Sequence, residues 1–307
     1  MRRVVYVIPY TSIIEQNAQV FRDILGSGNV LEHHSGMEFD LSDGASPEEI
    51  RRALASENWD MPVVVTTAAR FFESLYANRS SKCRKLHNLA NSVIIFDEAQ
   101  MLPLCHLQPC VAAMASLAEY VGSTLVLCTA TQPSLSDLLR TYAPGHTVME
   151  LCPQTEEIYD RFRRVTFRQA GVLEDDALTE RLSNHRQVLC VVNSRRAAQQ
   201  IFDRLPKEGC FHLSTLMIPT QRQAILEEIR QRLKDGEPCR VVSTSLIEAG
   251  VDVDFPTVYR ELAGLDSILQ AAGRCNREGK RAADESIVTV FERTELPPLL
   301  FRTAVGA

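Results

Sequence analysis

The sequence predicts an α/β fold in which two mostly parallel sheets each carry helices on both faces. Three observations support this prediction: short β-branched apolar runs recur along the chain, longer segments with helical spacing separate them, and the runs fall into two groups. Because the runs are near-continuous rather than alternating, they suit strands buried on both faces of a parallel sheet. The runs are Val4–Ile8, Val63–Val65, Val93–Phe96, Leu125–Leu127, Val188–Val192, Val241–Val242 and Ile287–Phe291.

The segments between the strands carry helix signals. Apolar residues recur three or four positions apart in Ile14–Leu25, Ala198–Leu205 and Ile225–Leu233, which predicts amphipathic helices. Ser46 and Glu49, on either side of Pro47, predict a capping box with a proline in the first turn. Thr220 with Gln223 predicts a second capping box. Strands that alternate with helices indicate the α/β class.

The length of the chain suits two domains. Its 307 residues, 45% of them hydrophobic, are enough for two ordinary cores. A proline- and glycine-containing stretch with few periodic apolar positions separates the two groups of strands. We expect a first domain over 1–150, a linker over 151–163, a second domain over 164–294 and the start of a severed linker over 295–307.

Composition excludes several classes of protein. No run of about 18 apolar residues occurs, so a membrane-spanning helix and a membrane partner are not expected. The nine cysteines include no C-x-x-C pair and do not form a disulfide framework for a chain of this length, so we expect a cytoplasmic protein. A net charge of −6 excludes a uniformly basic surface but leaves room for a local stripe of phosphate-binding residues.

Two adjacent acids give the strongest local signal. Asp97 and Glu98 follow the apolar run Val93–Phe96, and ligands of α/β sheets bind at the carboxyl ends of strands. Such an Asp can hold Mg²⁺ on a nucleoside triphosphate, and its Glu neighbour can orient a water for attack on the γ-phosphate. The alternative is an acidic helix start, which also suits the helix dipole.

Further polar groups follow other apolar runs. Thr129 and Thr131 could hydrogen-bond the acidic pair, although a turn with capping hydroxyls is the alternative. If their segment is helical, Gln270, Arg274 and Arg277 lie on one face, since they are separated by four and three positions. Two guanidiniums there could neutralise charge on a transferred phosphoryl group; a solvated helix end is the alternative.

In this order and spacing, the motifs resemble those of a superfamily-two helicase, in which two RecA-like domains bind nucleotide in the cleft between them. Asp97-Glu98-Ala99-Gln100 resembles the DEAD/DEAH box, and Thr129-Ala130-Thr131 resembles the Ser-Ala-Thr motif. Thr244–Asp252 is similar to the motif that contacts nucleic-acid phosphate and nucleotide ribose. Gln270–Arg277 is similar to the arginine-finger motif Q-R-x-G-R-x-x-R.

A narrower resemblance is to the CRISPR-associated helicase–nuclease of type I interference systems. It is carried by Ile8–Gln16, Val65–Thr67 with Phe71–Glu73, the acidic box followed by Met101–Pro103, Thr131–Pro133 and Ala272–Arg277. The resemblance implies an ATP-driven hydrolase that translocates on single-stranded DNA for antiviral defence. It also implies recruitment by an RNA-guided surveillance complex and a nuclease domain that is absent from this chain.

The resemblance assigns roles residue by residue. It implies that Asp97 holds Mg²⁺, that Glu98 orients water and that Arg274 and Arg277 are the fingers, with Gln270 beside them in the catalytic set. Gln100, Thr129 and Thr131 would couple nucleotide state to domain closure. Gly250 and Asp252 would lie near the ribose of ATP. The residues that would line the single-strand channel are Pro9, Thr11, Thr66, Thr67, Asn193, Ser194, Ser243 and Thr244.

The chain departs from the family pattern in one main respect. No G-x-x-x-x-G-K-[ST] occurs, and the only Gly-Lys pair, Gly279-Lys280, has the wrong spacing. We therefore expect an N-terminally truncated first domain without its phosphate-loop strand and helix, and a chain that is inactive alone. Two alternatives stay open: a non-catalytic nucleic-acid-binding fragment or truncated reading frame, and a superfamily-two helicase acting on RNA or in repair. His33-His34 is interpreted as a loop feature.

Overall fold

The structure, a computed structural model, describes residues 3–9, 14–37, 46–129, 135–214, 216–247 and 251–294. The chain divides into two compact units, Met1–Leu151 and Cys152–Ala307. Each unit contains one sheet, and every strand pairing in both sheets is parallel. The predicted fold class is therefore confirmed. None of the helices formed by the described residues is long and apolar enough to cross a membrane.

The first unit has a five-stranded sheet in the order β2-β3-β1-β4-β5. Its strands are β1 (Val4–Ile8), β2 (Val30–His33), β3 (Val63–Thr67), β4 (Val93–Phe96) and β5 (Thr124–Leu127). Its helices are α1 (Ile14–Leu25), α2 (Pro47–Asn58), α3 (Ala68–Tyr76), α4 (Ser80–Cys83), α5 (Leu107–Val121) and α6 (Ser136–Tyr142). Buried aromatic and aliphatic side chains pack on both faces of this sheet, so its central strand β1 is covered on both sides.

The register of the first sheet sets the position of the site. Ile8 lies opposite Thr67, and Val7 lies opposite Phe96, so β1, β3 and β4 end at the same level. The residues that follow these three strands therefore emerge side by side at one edge of the sheet.

The second unit has a six-stranded sheet in the order β6-β11-β10-β7-β9-β8. Its strands are β6 (Thr166–Leu173), β7 (Gln187–Val191), β8 (Cys210–Leu213), β9 (Cys239–Ser243), β10 (Thr257–Glu261) and β11 (Ile287–Arg293). Its helices are α7 (Thr155–Arg161), α8 (Asp175–Ser183), α9 (Arg195–Arg204), α10 (Pro219–Asp235) and α11 (Leu265–Ala272).

All seven predicted apolar runs are strands, but four strands were not predicted. The missed strands, β2, β6, β8 and β10, each mix polar residues with apolar ones, which hides them from a search for apolar runs. His33, predicted to lie in a loop, is instead the last residue of β2. That prediction failed because the paired histidines interrupt the short apolar run.

One predicted capping box is confirmed and the other is wrong. Ser46 Oγ accepts the N–H of Glu49 at 3.2 Å, and Ser46 N–H donates to the Glu49 carboxylate at 2.7 Å. Thr220 does not cap α10: the N-cap is Ile218, which makes no side-chain cap bond, and Pro219 opens the helix. Proline favours the first helical position because its φ is already helical, so the helix begins before Thr220.

The condition for one helical face of Gln270, Arg274 and Arg277 is not met. α11 ends at Ala272, and Asn276 has a left-handed φ of 48°. A left-handed residue cannot continue a helix, so both arginines lie in the loop after α11 and only Gln270 lies on the helix.

Candidate functional site

A tight acidic turn follows β4. Asp97 Oδ1 accepts the N–H of Glu98 at 3.1 Å, and Asp97 Oδ2 accepts the hydroxyl of Tyr6 at 2.8 Å. Glu98 itself has a left-handed φ of 51°, a conformation that residues other than glycine adopt rarely and that costs on the order of 1–3 kcal/mol. Gln100 Nε2 donates to the Glu98 carboxylate. These bonds fix both acids in place.

Glu98 stands at the N-cap position of the 3₁₀ helix Ala99–Met101, but its side chain makes no cap bond to this helix. Burial raises the pKa of Tyr6 above its usual value, and the hydrogen bond from Tyr6 to Asp97 raises it further. The phenol therefore stays protonated and acts as a donor to Asp97.

The acidic turn is tied to the end of β5. Ala99 N–H donates to the Cys128 carbonyl at 3.0 Å, and Cys128 N–H donates to the Phe96 carbonyl at 2.8 Å. Thr129, half-buried, is the next residue along the chain. These two bonds join the acidic turn to the segment that leads into Thr129, while Thr131 lies outside the described residues.

Residues predicted to contact nucleic acid lie beside this turn. A small pocket at the carboxyl edge of the sheet is lined in part by Pro9, Ala68, Asp97 and Glu98. Ala68 directly follows Thr67, so the ends of β1, β3 and β4 meet here. Thr11 lies outside the described residues.

Thr66 and Thr67 use their hydroxyls in opposite ways. Thr66 Oγ1 donates its proton to the His33 carbonyl at 2.8 Å. Thr67 Oγ1 instead accepts the N–H of Arg70 at 3.2 Å as the N-cap of α3. A hydroxyl has one proton and two acceptor sites, so the Thr66 proton is used internally, whereas the Thr67 proton has no acceptor among the described residues.

The second unit repeats this arrangement at the end of β7. Ser194 Oγ accepts the N–H of Ala197 at 3.1 Å as the N-cap of α9. Two exposed arginines, Arg195 and Arg196, occupy the first turn of α9. Cations are unfavourable at the positive end of a helix, so folding alone gives no reason for them there.

Asn193 is held internally at three points. Its N–H donates to Glu261 Oε2 at 2.7 Å, its side-chain Nδ2 donates to the Leu262 carbonyl at 2.8 Å, and its Oδ1 accepts from Arg260 at 2.7 Å. The carboxamide therefore fixes the loop that carries Ser194.

Arg260 is a residue that the sequence reasoning missed. It is fully buried, and besides Asn193 it donates to the Glu261 carbonyl at 2.8 Å and to Ser267 Oγ at 3.1 Å. Burial raises the pKa of the neighbouring Glu261 carboxyl, although the Asn193 N–H opposes this. The available signal was weak: an Arg-Glu pair follows only two apolar residues, Val258 and Tyr259.

Two hydroxyls end β9. Ser243 Oγ donates to the Thr244 carbonyl at 2.9 Å. Thr244 Oγ1 is buried and has no hydrogen-bond partner within the described part of the chain. An unsatisfied buried hydroxyl costs about 1–3 kcal/mol, which marks Thr244 as a residue that folding alone does not explain.

The loop after α11 holds both predicted fingers. Arg274 is only 8% exposed and donates from Nε to the Ile247 carbonyl at 3.0 Å. Arg277 Nε lies 2.8 Å from Asp252 Oδ1, and Arg277 N–H donates to Asp254 Oδ1 at 2.7 Å. Gln270 is half-buried on α11. Gly250, the other predicted ribose neighbour, lies outside the described residues.

Asn276 organises this loop. It is buried, its Nδ2 donates to the carbonyls of Arg164 and Arg281 at 2.8 and 2.7 Å, and its Oδ1 accepts the Arg281 N–H at 3.0 Å. Asparagine tolerates the left-handed conformation found here better than most residues. The Asn-Arg sequence that contributed to the family resemblance is thus explained by the shape of the turn.

The residues around Asp97 fit one cation with a phosphate ligand. Within the described ranges, no group of three or more His, Cys, Asp or Glu side chains could hold a metal alone. Each Asp97 oxygen accepts one protein hydrogen bond, which leaves acceptor sites free for a cation. Mg²⁺ is commonly held by one or two carboxylates, substrate phosphates and water, so Asp97 fits this ion.

Two family models match the chain. One, described as DEAD/DEAH box helicase, matches residues 1–138, and the other, described as CRISPR-associated nuclease/helicase Cas3, C-terminal, matches residues 184–280. The CRISPR-associated nuclease/helicase Cas3 of Haloferax volcanii is 25% identical, with 97% of this chain aligned to 43% of that protein.

Solved structures give the same fold. The crystal structure of T. fusca Cas3 with ATP superposes with a TM-score of 0.72 at 16% identity. The match covers 99% of this chain and 42% of the T. fusca chain. A CRISPR RNA-guided surveillance complex, pre-nicking, contains a chain that matches with a TM-score of 0.61 and 17% identity, covering 99% of this chain and 44% of that one.

The two parallel sheets match the tandem RecA-like domains of T. fusca Cas3 in fold, and the DEAD/DEAH box helicase model covers the unit that carries the acidic turn. Within that class, the chain is similar to the CRISPR-associated nuclease/helicase Cas3, whose C-terminal model matches its second unit and one of whose members aligns with 97% of it. It spans less than half the length of the relatives it matches.

Proposed function

We propose that this chain is the ATP-dependent motor core of a CRISPR antiviral effector and that it moves along single-stranded DNA. One observation carries the proposal: at one sheet edge, Pro9 and Ala68, from segments assigned to nucleic acid, line the same pocket as Asp97 and Glu98, which are assigned to nucleotide. A motor must link these two ligands, and here their segments are in contact.

The nucleotide chemistry follows from the acidic turn. Bound MgATP would supply a cation that neutralises charge on the phosphates, and Asp97 is the residue proposed to hold it. Glu98 orients the attacking water, with its carboxylate held by Gln100 Nε2. In the second unit, Gln270, Arg274 and Arg277 complete the catalytic set, and Gly250 and Asp252 take the ribose.

Coupling between nucleotide and nucleic acid is assigned to Gln100, Thr129 and Thr131. The hydrogen bond from Ala99 N–H to the Cys128 carbonyl supports this assignment because it joins the two segments directly. A change at the acidic turn then alters the segment that carries the threonines.

The strand contacts are assigned to backbone and hydroxyl groups. Thr67 and Ser194 are the strongest candidates because each accepts a backbone N–H and keeps its own proton for a phosphate oxygen. Ser194 also lies at the positive end of α9 beside two exposed arginines, an arrangement that favours anions. Contacts to phosphate rather than to bases suit a motor that ignores sequence.

Thr66 and Ser243 are weaker candidates for donating to phosphate. Each hydroxyl proton is already given to a carbonyl inside its own unit. Pro9, Thr11, Asn193 and Thr244 complete the proposed channel. Of these, Asn193 acts through its fixed loop, since both ends of its carboxamide are engaged.

The proposed partners follow from the similarity to the CRISPR-associated nuclease/helicase Cas3. We assign this chain a role in an RNA-guided surveillance complex with a separate nuclease, in line with the solved assembly that contains a similar chain. Because the sequence has no G-x-x-x-x-G-K-[ST] loop, we propose that the chain alone does not turn over ATP.

The substrate is tested by equilibrium titration of dye-labelled oligonucleotides. The expected result is tighter binding of single-stranded DNA than of duplex DNA, equal binding of different base sequences, and affinity that falls as salt rises. Tighter binding of single-stranded RNA than of DNA would support a helicase that acts on RNA instead.

Catalysis is tested by ATP hydrolysis with saturating single-stranded DNA, using the chain and its Glu98→Gln variant. We expect equal background rates from both proteins. Stimulated turnover that disappears in Glu98→Gln would contradict the proposed inactivity of the chain alone, while supporting the role of Glu98.

A further inference from the structure

We propose that Tyr6 is a positioning residue whose hydroxyl orients the Asp97 carboxylate toward its cation. This inference rests on the proposed role of Asp97 as the residue that holds Mg²⁺ on the nucleotide. Tyr6 lies within an apolar strand, and its sequence context predicts only a core aromatic.

The sheet register explains how Tyr6 reaches Asp97. Tyr6 in β1 lies opposite Ile95 in β4, and Asp97 is two residues further along. Side chains two residues apart point to the same face of a sheet, so Asp97 lies diagonally across from Tyr6 on one face. A phenol is long enough to span this diagonal, and the hydroxyl lies 2.8 Å from Asp97 Oδ2.

The ring of Tyr6 is held in place by packing. Phe21 of α1 contacts it edge-on, with 5.3 Å between ring centroids and 67° between ring planes. The ring packs against a cluster of buried side chains that includes Ile8 and Val65. A ring fixed in this way presents its hydroxyl in one direction, so the bond to Asp97 restricts the carboxylate as well.

The two donors to Asp97 leave a defined opening. Glu98 N–H occupies one acceptor site of Oδ1, and Tyr6 occupies one acceptor site of Oδ2. A carboxylate has about four acceptor sites, so the remaining ones point away from both donors. Groups that hydrogen-bond a metal ligand fix its orientation, and their loss typically lowers metal affinity about 10- to 100-fold.

The test measures Mn²⁺ binding to the chain without nucleotide, using the electron paramagnetic resonance signal of free Mn²⁺. We expect Tyr6→Phe, which keeps the ring and its contact with Phe21, to raise the Mn²⁺ dissociation constant at least about 10-fold. Tyr76→Phe is the matched control, since Tyr76 donates to the Pro109 carbonyl elsewhere in the same unit. It should leave the constant unchanged.

Asp97→Asn separates the inference from the function on which it rests. If Asp97→Asn binds Mn²⁺ as tightly as the wild type, or if the wild type does not bind at millimolar Mn²⁺, the proposed role of Asp97 fails and the inference fails with it. If Asp97→Asn weakens binding and Tyr6→Phe does not, the role of Asp97 stands and the inference alone is overturned.

A second readout does not depend on a comparison of affinities. In the chain labelled with 3-fluorotyrosine, the ¹⁹F resonance of Tyr6 is the one missing from Tyr6→Phe. We expect this resonance to shift in Asp97→Asn but not in Glu98→Gln, and to broaden when Mn²⁺ is added. A resonance insensitive to both Asp97→Asn and Mn²⁺ would overturn the inference even if Tyr6→Phe were too unstable to study.

Discussion

Arg277 and Asp252 form an ion pair, with 2.8 Å between Nε and Oδ1. The proposed function assigns Arg277 to the phosphates of ATP and Asp252 to its ribose. In this structure, the two side chains proposed to bind one nucleotide are therefore bound to each other. Both are accessible, with side chains 43% and 64% exposed. Nucleotide binding must therefore break or rearrange this contact.

Asp252→Asn should have little effect on stability. Exposed ion pairs contribute about 0–1 kcal/mol, because water screens them and the side chains lose freedom. Asp254→Asn is the comparison: Asp254 accepts the Arg277 N–H at 2.7 Å and pairs with Arg281 at 3.2 Å, and its side chain is 15% exposed. Urea unfolding should show a loss below about 1 kcal/mol for the first variant and a larger loss for the second. The reverse order would mean that the Asp252 pair stabilises the loop.

Arg260→Met should destabilise the second unit. The substitution leaves Oδ1 of the half-buried Asn193 without its donor and removes charged hydrogen bonds, at a cost on the order of 3 kcal/mol. Arg186→Met is a matched control, since the exposed Arg186 donates to the Gly236 carbonyl. Urea unfolding measures both, and a loss no greater than that of Arg186→Met would show that the Arg260 network is dispensable.

His33 makes the first unit sensitive to acid. Mainly through burial, the pKa of His33 is lowered to about 4, and the positive charges of Lys85 and Arg70 contribute to this decrease. Its Nδ1 accepts the Trp59 Nε1–H at 3.1 Å, which requires the neutral ring. His33 takes up a proton near pH 6.5 in the unfolded state but only near pH 4 in the folded state. The free energy of unfolding is therefore at its full value above about pH 6.5 and falls by up to about 3 kcal/mol toward pH 4.

The single tryptophan, Trp59, reports this transition directly. Urea unfolding followed by its fluorescence from pH 7 to pH 4 should show a steeper loss of stability for the wild type than for His33→Gln. Glutamine keeps an acceptor at this position but does not titrate in this range. Parallel pH profiles for the two proteins would contradict the proposed role of His33.

The parts of the fold that the sequence predicts are those where one signal dominates. Near-continuous apolar runs identify β1, β4 and β7, and an acid pair after such a run identifies the turn at Asp97. β10 was missed because its two buried charged side chains find partners only once the sheet has formed: Arg260 donates to the Glu261 carbonyl, and the Glu261 carboxylate accepts the Asn193 N–H.

Side-chain roles depend on contacts that no spacing reveals. Thr66 and Thr67 are equivalent in the sequence, yet one donates its proton to His33 and the other caps α3. The spacing of Gln270, Arg274 and Arg277 would place them on one face only in a helix, but α11 ends at Ala272 and the left-handed turn at Asn276 is held by bonds to Arg164 and Arg281. Such long-range bonds decide which candidate residues remain available to a ligand.

The most direct test of the motor proposal measures how tightly variants at Ser194 and Thr67 bind single-stranded DNA. Aspartate and asparagine both cap helices well, so either can accept the same backbone N–H, but aspartate places a negative charge where phosphate is proposed to bind. We expect Ser194→Asp and Thr67→Asp each to weaken binding at least about 10-fold relative to the matching asparagine variants, with a difference that shrinks as salt rises. Equal affinity of the aspartate and asparagine variants at low salt, with all of them folded, would contradict the account.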